Sequence, residues 1–334
     1  MSRAWLMPTL EAWMLLWWRW ALHLLRAMIS RGVDYVTGKS ELERICSADS
    51  RAPPFSMFSR FLRFLRLSPY PSPSSLLADP TGREASASLP SLLLRYKIPT
   101  SNIHVQENLK ECLRALHYLH EFKDAVRSLT TTAFAWENQD HLALLHALWH
   151  ALKPGLAFAP APSEGEGRKG GREGGREGSV WSEIGFQGRD PSTDFRGMGI
   201  FGLMQMVSFA ESRPEKARSL LLESEHPRRW FPWAVTGVNV SRFVFELLTE
   251  DAVLEERLVE AWREGGREGG KEGGMQVVNE VYADVWETFG RVWVDTDPEN
   301  VMAFPPIWSE VQRRERRRWR QRRGDESWRL LLEV

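Results

Sequence analysis

Apolar residues recur every three or four positions along most of this chain, which is the spacing of one face of an α-helix. Two segments show the pattern most clearly, 105–119 with Val105, Leu109, Cys112, Leu116 and Leu119, and 275–293 with Val278, Val281, Val285, Phe289 and Val292. Almost no run alternates apolar and polar residues with the period of two that a half-buried β-strand needs. The sequence therefore predicts an all-α fold built from several helices.

Residues typical of helix ends place some of the boundaries. Asp140 is expected to cap a helix that Pro154-Gly155 stops, and Pro214 is expected to open a later one. Ser241 is expected to lead a further helix through Phe243.

Composition divides the 334 residues into four parts. These are an N-terminal part with an amphipathic helix and a second short helix (1–50), a Pro- and Ser-rich linker that we expect to be mostly irregular (51–100), a helical domain (101–312) and an Arg-rich tail (313–334). In the linker, Phe61 to Leu67 is apolar and basic, which fits either a membrane contact or a short surface helix. The tail fits either a contact with anionic lipid or a solvated helix end.

Two low-complexity inserts interrupt the helical domain, at 163–179 and 263–274, and both repeat Gly-Arg-Glu-Gly. Such sequences have almost no apolar surface to bury, so we expect solvated, flexible loops. The segments around them differ, so they are not a fold repeat. We interpret them as lineage-specific expansions or as non-coding sequence retained in the gene model.

The segment from Trp5 to Ile29 is rich in tryptophan and leucine, while its polar residues fall on one narrow helical stripe. The longest uncharged run, 12–18, is far shorter than the roughly 20 residues that span a bilayer. An interfacial helix fits this pattern, with aromatic rings at headgroup depth and arginines near phosphates. Its predicted membrane contacts are Trp13, Trp17, Trp18, Arg19 and Arg26. The alternative is a helix that docks its apolar face on the domain core.

Charge and metal-ligand patterns exclude several classes of function. The formal net charge is zero, which gives no signal for nucleic acid. Cys46 and Cys112 lie far apart without a partner motif, so we expect neither a disulfide nor a metal site. Gly38-Lys39-Ser40 lacks the first glycine and the preceding strand of a phosphate-binding loop. We therefore expect no bound metal, cofactor or nucleotide in this chain.

The stretch from Trp181 to Leu203 is the best candidate for chemistry. Asp190-Pro191 marks a turn, and the oxygens of Thr193 and Asp194 can cap a helix or close that turn. Gly197 and Gly199 allow a positive φ or a close backbone approach. One arginine, Arg196, is thus presented on a tightly built turn.

This stretch resembles the signature of the ELMO (engulfment and cell motility) domain, which reads Trp, then Gly-Phe-Gln, then Asp-Pro-x-Thr-Asp-Phe-Arg-Gly-x-Gly, then an apolar Gly-Leu. Phe201 replaces a smaller aliphatic residue and is a mild departure. The segments 37–47 and 226–240 also resemble this family. The motif positions expected to support the arginine are Trp181, Gln187, Asp190, Thr193, Asp194, Gly197 and Gly199.

In the small, single-domain branch of the family, the resemblance implies a GTPase-activating protein for Arf and Arf-like GTPases. The motif arginine, here Arg196, is then the catalytic residue that is inserted into the partner. The protein would be an activator and not itself an enzyme, with a GTP-bound Arf-family GTPase and a membrane surface as partners. We expect it in the cytoplasm, peripherally bound to intracellular membranes, with the endoplasmic reticulum as one candidate.

Other interpretations stay open at this stage. Arg196 could be buried, paired with Asp190 or Asp194, and serve only to hold the loop. Larger ELMO proteins are scaffolds for an exchange factor, but they carry helical repeats and a lipid-binding domain that this chain lacks. A membrane-bound adaptor without a catalytic role is the third hypothesis.

Overall fold

The computed structural model describes residues 33–35, 37–47, 54–67, 88–156, 180–188 and 190–332. Every regular element in these ranges is a helix, so the predicted all-α fold is confirmed. The predicted membrane contacts, Trp13 to Arg26, and the first insert, 163–179, lie outside the described residues. None of the described helices is both long and apolar enough to cross a bilayer. The chain divides into two compact units, Met1–Tyr118 and Leu119–Val334.

The first unit contains α1 (Glu41–Cys46), α2 (Pro54–Leu67), α3 (Ser88–Arg95) and the first half of α4 (Ile103–Thr131). Gly38 has φ +67°, and the side chain of Ser40 caps the start of α1. Both cysteines are buried, and neither forms a disulfide within the described residues. Burial raises the pKa of the Cys46 thiol to about 12, which keeps it protonated.

The prediction of a mostly irregular linker at 51–100 is wrong for α2 and α3. The aromatic side chains of Phe58, Phe61 and Phe64 are at most 4% exposed, so α2 contributes to a core. Apolar residues three apart give this short segment a buried face despite the prolines and serines around it. For the described residues of Phe61 to Leu67, the buried aromatic side chains favour core packing over a membrane contact.

The second unit continues with helices that pack around one central helix. They are the rest of α4, α5 (Gln139–Leu152), α6 (Gly199–Ser212), α7 (Pro214–Ser224), α8 (Trp233–Glu250), α9 (Ala252–Thr296) and α10 (Phe304–Leu332), with short 3₁₀ helices at Val180–Ile184, Pro191–Gly197 and Val301–Ala303. Helix α6 is buried on most of its surface and packs against α5, α7, α8 and α9. Two helix starts differ from prediction: Asn138 caps α5 in place of Asp140, and α8 begins at Trp233, eight residues before Ser241.

Stacked aromatic rings fill the core of the second unit. The ring of Trp286 lies 5.3 Å from that of Trp233 and 6.0 Å from that of Phe209, with nearly parallel planes. Phe289 meets Trp286 edge to face and in turn stacks on Trp293 along α9. Several of the chain's tryptophans thus serve as core residues, and this rigid block supports α8, the helix that lies beside the signature.

Helix α9 folds back on itself within the second insert. An ion pair of 3.0 Å joins Arg257 to Glu280, although 23 residues of straight α-helix would span roughly 35 Å. A Cβ on Gly270 would lie 2.4 Å from the ring of Trp262, so the two limbs touch closely. The expected flexible loop at 263–274 is therefore corrected to the turn of a helical hairpin. Glycine permits this close packing because it has no side chain.

The first part of the Arg-rich tail belongs to the fold. Glu315 and Trp319 are each 3% exposed, and Arg316 pairs with Glu246 and Glu250 of α8. The boundary expected at residue 313 therefore falls inside α10. Arg313 and Arg314, by contrast, pair with Glu310 of the same helix and stay exposed, which fits a solvated helix face. The lipid contact stays a prediction.

Candidate functional site

The arginine of the signature lies on a short 3₁₀ helix, Pro191–Gly197, whose start is fixed by Asp190. The Asp190 carboxylate accepts a hydrogen bond from the Ser192 N–H at 2.9 Å and one from the indole N–H of Trp136 at 3.3 Å. Thr193 donates its hydroxyl to the Asp190 carbonyl at 2.9 Å. Proline at the first helical position loses no hydrogen bond there and presets φ. These contacts fix the backbone five residues before the arginine.

Asp194 ties the same helix to the preceding turn. Its carboxylate accepts a hydrogen bond of 2.7 Å from the backbone N–H of Gln187. Burial raises the pKa of Asp194, and this hydrogen bond and the charge of Arg196 only partly oppose that effect. The Asp194 carboxylate therefore stabilises the conformation of the loop. The side chain of Gln187 is exposed and takes no part in this bond.

Phe195, next to the arginine, anchors the 3₁₀ helix in an aromatic cluster. It is 1% exposed, and its ring lies 5.5 Å from that of Phe134 and 5.4 Å from that of Phe186. Trp181 is buried behind Phe186, with ring centroids 6.2 Å apart. The apolar positions of the signature thus provide a rigid base from which residue 196 points away.

Two glycines of the signature are required by the geometry of the chain. Gly199 has φ +53°, and a Cβ there would lie 2.6 Å from the carbonyl oxygens of Leu129 and Thr132. The Ile200 N–H donates to the same Thr132 carbonyl at 2.9 Å, which joins α6 to the end of α4. Gly197 has no positive φ, but a Cβ there would lie 3.3 Å from Val238 of α8. Gly199 thus shows both the positive φ and the close backbone approach, while Gly197 shows a tight contact with a side chain only.

Arg196 itself is exposed, and its guanidinium makes no hydrogen bond or ion pair with any residue that the structure describes. The alternative of a buried arginine paired with Asp190 or Asp194 is therefore wrong. Neither Asp190 nor Asp194 accepts the expected orienting bond from the guanidinium, and the hydrogen bonds that both carboxylates accept come from N–H groups of the loop and of Trp136. The arginine is held only through its backbone and is free to meet an external anion.

Sequence reasoning missed two residues of the site. Trp136 precedes Asp190 by 54 positions, and only the fold brings its indole N–H to that carboxylate. Arg242 lies on α8, with Nη2 only 3.4 Å from where a Cβ of Gly197 would be. Neither residue carries a local signal that could have connected it to the signature.

These features define an all-α domain that exposes one motif arginine on a rigid turn. A family model described as ELMO/CED-12 matches residues 124–308, which is more than half of the chain. The chain therefore belongs to the ELMO/CED-12 family, and the predicted resemblance is confirmed.

The similar proteins are ELMO domain-containing proteins. ELMO domain-containing protein 2 of Homo sapiens is 29% identical over 196 residues, which cover 59% of each chain. ELMO domain-containing protein B of Dictyostelium discoideum is 28% identical over 61% of this chain and 63% of its own length. ELMO domain-containing protein 1 of Mus musculus is 26% identical over 84% of this chain and 83% of its own. The match thus spans under two thirds of the first two relatives. No solved structure matches the chain significantly.

Proposed function

We propose that this protein is a GTPase-activating protein for Arf-family small GTPases and that Arg196 is the residue it inserts into the partner's active site. The observation that carries the proposal is the state of this side chain, which is exposed and unpaired while the residues on either side are fixed or buried. An arginine kept only for structure would be expected to hold a carboxylate or a carbonyl of its own chain.

The chemistry of GTP hydrolysis explains why an arginine is needed. A water oxygen attacks the γ-phosphorus while the bond to the β–γ bridging oxygen breaks, and negative charge develops on the phosphoryl oxygens. A guanidinium stays protonated and offers two parallel N–H donors to such oxygens. An arginine supplied in trans accelerates hydrolysis by about 10³- to 10⁵-fold in GTPases that use one. The protein would thus be an activator, with the reaction itself taking place on the partner.

The fixed backbone around Arg196 supports this role. An electrostatic catalyst works best when its donors need no reorganisation as the charge develops. Here the cap at Asp190, the bond between Asp194 and Gln187, and the buried ring of Phe195 all restrict the loop. The side chain of Arg196 keeps its own freedom, so it can extend into a cleft on another protein.

The test is single-turnover GTP hydrolysis by a panel of purified, GTP-loaded Arf-family GTPases. Arg196→Ala and Arg196→Lys should each reduce the accelerated rate by at least about 100-fold, because lysine keeps the charge but loses the two-donor fork. Arg291→Ala is a matched control, since Arg291 of α9 is also exposed and unpaired within the described structure. Circular dichroism and thermal unfolding should show all variants folded.

The same assay distinguishes a GTPase-activating protein from a non-catalytic scaffold or adaptor. The proposed role of Arg196 would be wrong if the wild-type protein bound a GTPase without accelerating hydrolysis. It would also be wrong if wild type, Arg196→Ala and Arg196→Lys accelerated hydrolysis equally. The membrane surface and the cytoplasmic location expected above remain proposals, and co-sedimentation with anionic vesicles tests the first of them.

A further inference from the structure

A second arginine lies beside the signature. Arg242 is on α8, and its Nη2 atom would be 3.4 Å from a Cβ built on Gly197, the residue that follows Arg196. The guanidinium of Arg242 lies at van der Waals distance from where a side chain of Gly197 would begin. The fold thus brings Arg242 next to the arginine loop although 45 residues separate it from Gly197 in sequence.

Arg242 has no partner of its own within the described part of the chain. Its side chain is exposed and makes no hydrogen bond or ion pair there, as is also true of Arg196. Other arginines of this unit that lie close to acidic residues form pairs with them, as Arg213 does with Glu287, Arg229 with Glu223 and Arg316 with Glu246. Two arginines without a partner among the described residues therefore lie at one glycine, Arg196 as its neighbour in sequence and Arg242 from α8.

Neither nearby aspartate forms a hydrogen bond or ion pair with these two arginines within the described residues. Asp194 accepts from the Gln187 N–H, and Asp190 accepts from Ser192 and Trp136. An oxyanion that reaches two unpaired guanidiniums can accept a charge-assisted hydrogen bond from each of them. Two unpaired arginines at this glycine thus offer an anionic ligand more donors than Arg196 alone.

We propose that Arg242 is a second anion-binding residue of this site and that it holds an oxyanion presented by the partner GTPase. This inference rests on the proposed function. The oxyanion is either the γ-phosphate of the bound GTP or a carboxylate beside the nucleotide pocket, and both have the same chemistry toward a guanidinium. Arg242 is then a positioning residue, while Arg196 acts on the reacting phosphoryl group.

The first experiment needs no GTPase. Inorganic triphosphate is titrated into the full chain while the side-chain Nε–H signals of Arg196 and Arg242 are followed by NMR. Both signals should shift along one binding curve, and Arg242→Ala should weaken triphosphate binding by about tenfold, the effect expected for one charge-assisted hydrogen bond. Arg291→Ala should leave binding unchanged. Equal binding by wild type and Arg242→Ala would overturn the inference.

The second experiment measures how Arg242 affects activation of the partner GTPase and binding to it. Arg242→Ala should reduce kcat/KM for GTP hydrolysis by about tenfold or more, and Arg242→Lys should recover part of the loss because the charge returns. If the oxyanion is a phosphate, Arg242→Ala weakens binding only to the GTPase loaded with GDP and aluminium fluoride. If it is a carboxylate, binding to the GDP form weakens equally and KM rises more than kcat falls. Unchanged kcat/KM and unchanged binding would contradict both.

The two proposals fail in different ways. Should Arg196→Ala activate hydrolysis as well as wild type, the proposed function is wrong, while the triphosphate titration still decides whether Arg242 binds an anion. Should Arg196→Ala be inactive while Arg242→Ala equals wild type in both experiments, only the inference on Arg242 is wrong.

Discussion

The backbone N–H of Gln187 donates to the carboxylate of Asp194 at 2.7 Å, so the acid closest in sequence to Arg196 is committed to the loop and not to the guanidinium. This bond joins the Gly-Phe-Gln part of the signature to its Asp-Phe-Arg part across seven positions. It explains how one carboxylate can fix the arginine's backbone and still leave the side chain unpaired.

Replacement of Asp194 by asparagine should stabilise the protein at neutral pH. Burial raises the pKa of Asp194, so the folded state favours the protonated acid and loses stability as the pH rises through that pKa. Asparagine keeps an oxygen for the Gln187 N–H and carries no charge. Thermal unfolding of Asp194→Asn should therefore occur above that of wild type at pH 7, and the difference should shrink below the ordinary aspartate range. A lower unfolding temperature at pH 7 would contradict this account.

Gly199→Ala should disrupt the junction between α4 and α6. A Cβ there would meet the carbonyl oxygens of Leu129 and Thr132 at 2.6 Å, and φ is +53°, so we expect a loss of at least about 2 kcal/mol in unfolding free energy. Gly188→Ala is the matched control: φ is +79°, yet nothing lies within 4 Å of a Cβ. It should cost only about 1 kcal/mol. Urea unfolding of both variants gives the comparison, and equal losses would show that crowding at Gly199 is unimportant.

The helical periodicity was sufficient to predict most elements of the fold. The faces of α4 and of the second limb of α9 were predicted correctly because their buried residues lie three or four positions apart. The linker prediction failed at α2 because prolines and serines around a short segment concealed its buried phenylalanines. The prediction of a flexible loop within α9 also failed. The hairpin there is held by close contact between Gly270 and Trp262, and a contact made by glycine leaves no hydrophobic pattern in the sequence.

The candidate site was predictable only in part. The signature identified Arg196 and the residues around it, because all of them are contiguous in sequence. It could not show whether the arginine was paired, since that depends on which donors reach Asp190 and Asp194 in three dimensions. Trp136 reaches the site from the segment between α4 and α5, and Arg242 reaches it from α8. Contacts of this kind across the fold have no local sequence pattern.

The hairpin of α9 can be tested at its closest contact. Gly270→Ala would place a methyl group 2.4 Å from the indole of Trp262, so we expect a loss of about 1–3 kcal/mol from overpacking. At Gly265 the nearest atom to a Cβ is 3.4 Å away, and Gly265→Ala should be neutral or slightly stabilising. Thermal unfolding distinguishes these outcomes. If neither variant changed stability, the insert would be the flexible loop that its composition predicts.

The contribution of Trp136 to the arginine loop can be separated from its contribution to the core. Trp136→Phe keeps an aromatic ring beside Phe134 but removes the N–H that binds Asp190, at a cost of about 0.5–1.5 kcal/mol in stability. Trp149→Phe removes a similar 3.3 Å hydrogen bond, to the carbonyl of Leu156, and serves as the control. Only Trp136→Phe should slow GTPase activation, by up to about tenfold, because a shift of the cap displaces Arg196 from the partner's phosphates. Equal activation by the two variants would show that the loop needs no support from Trp136.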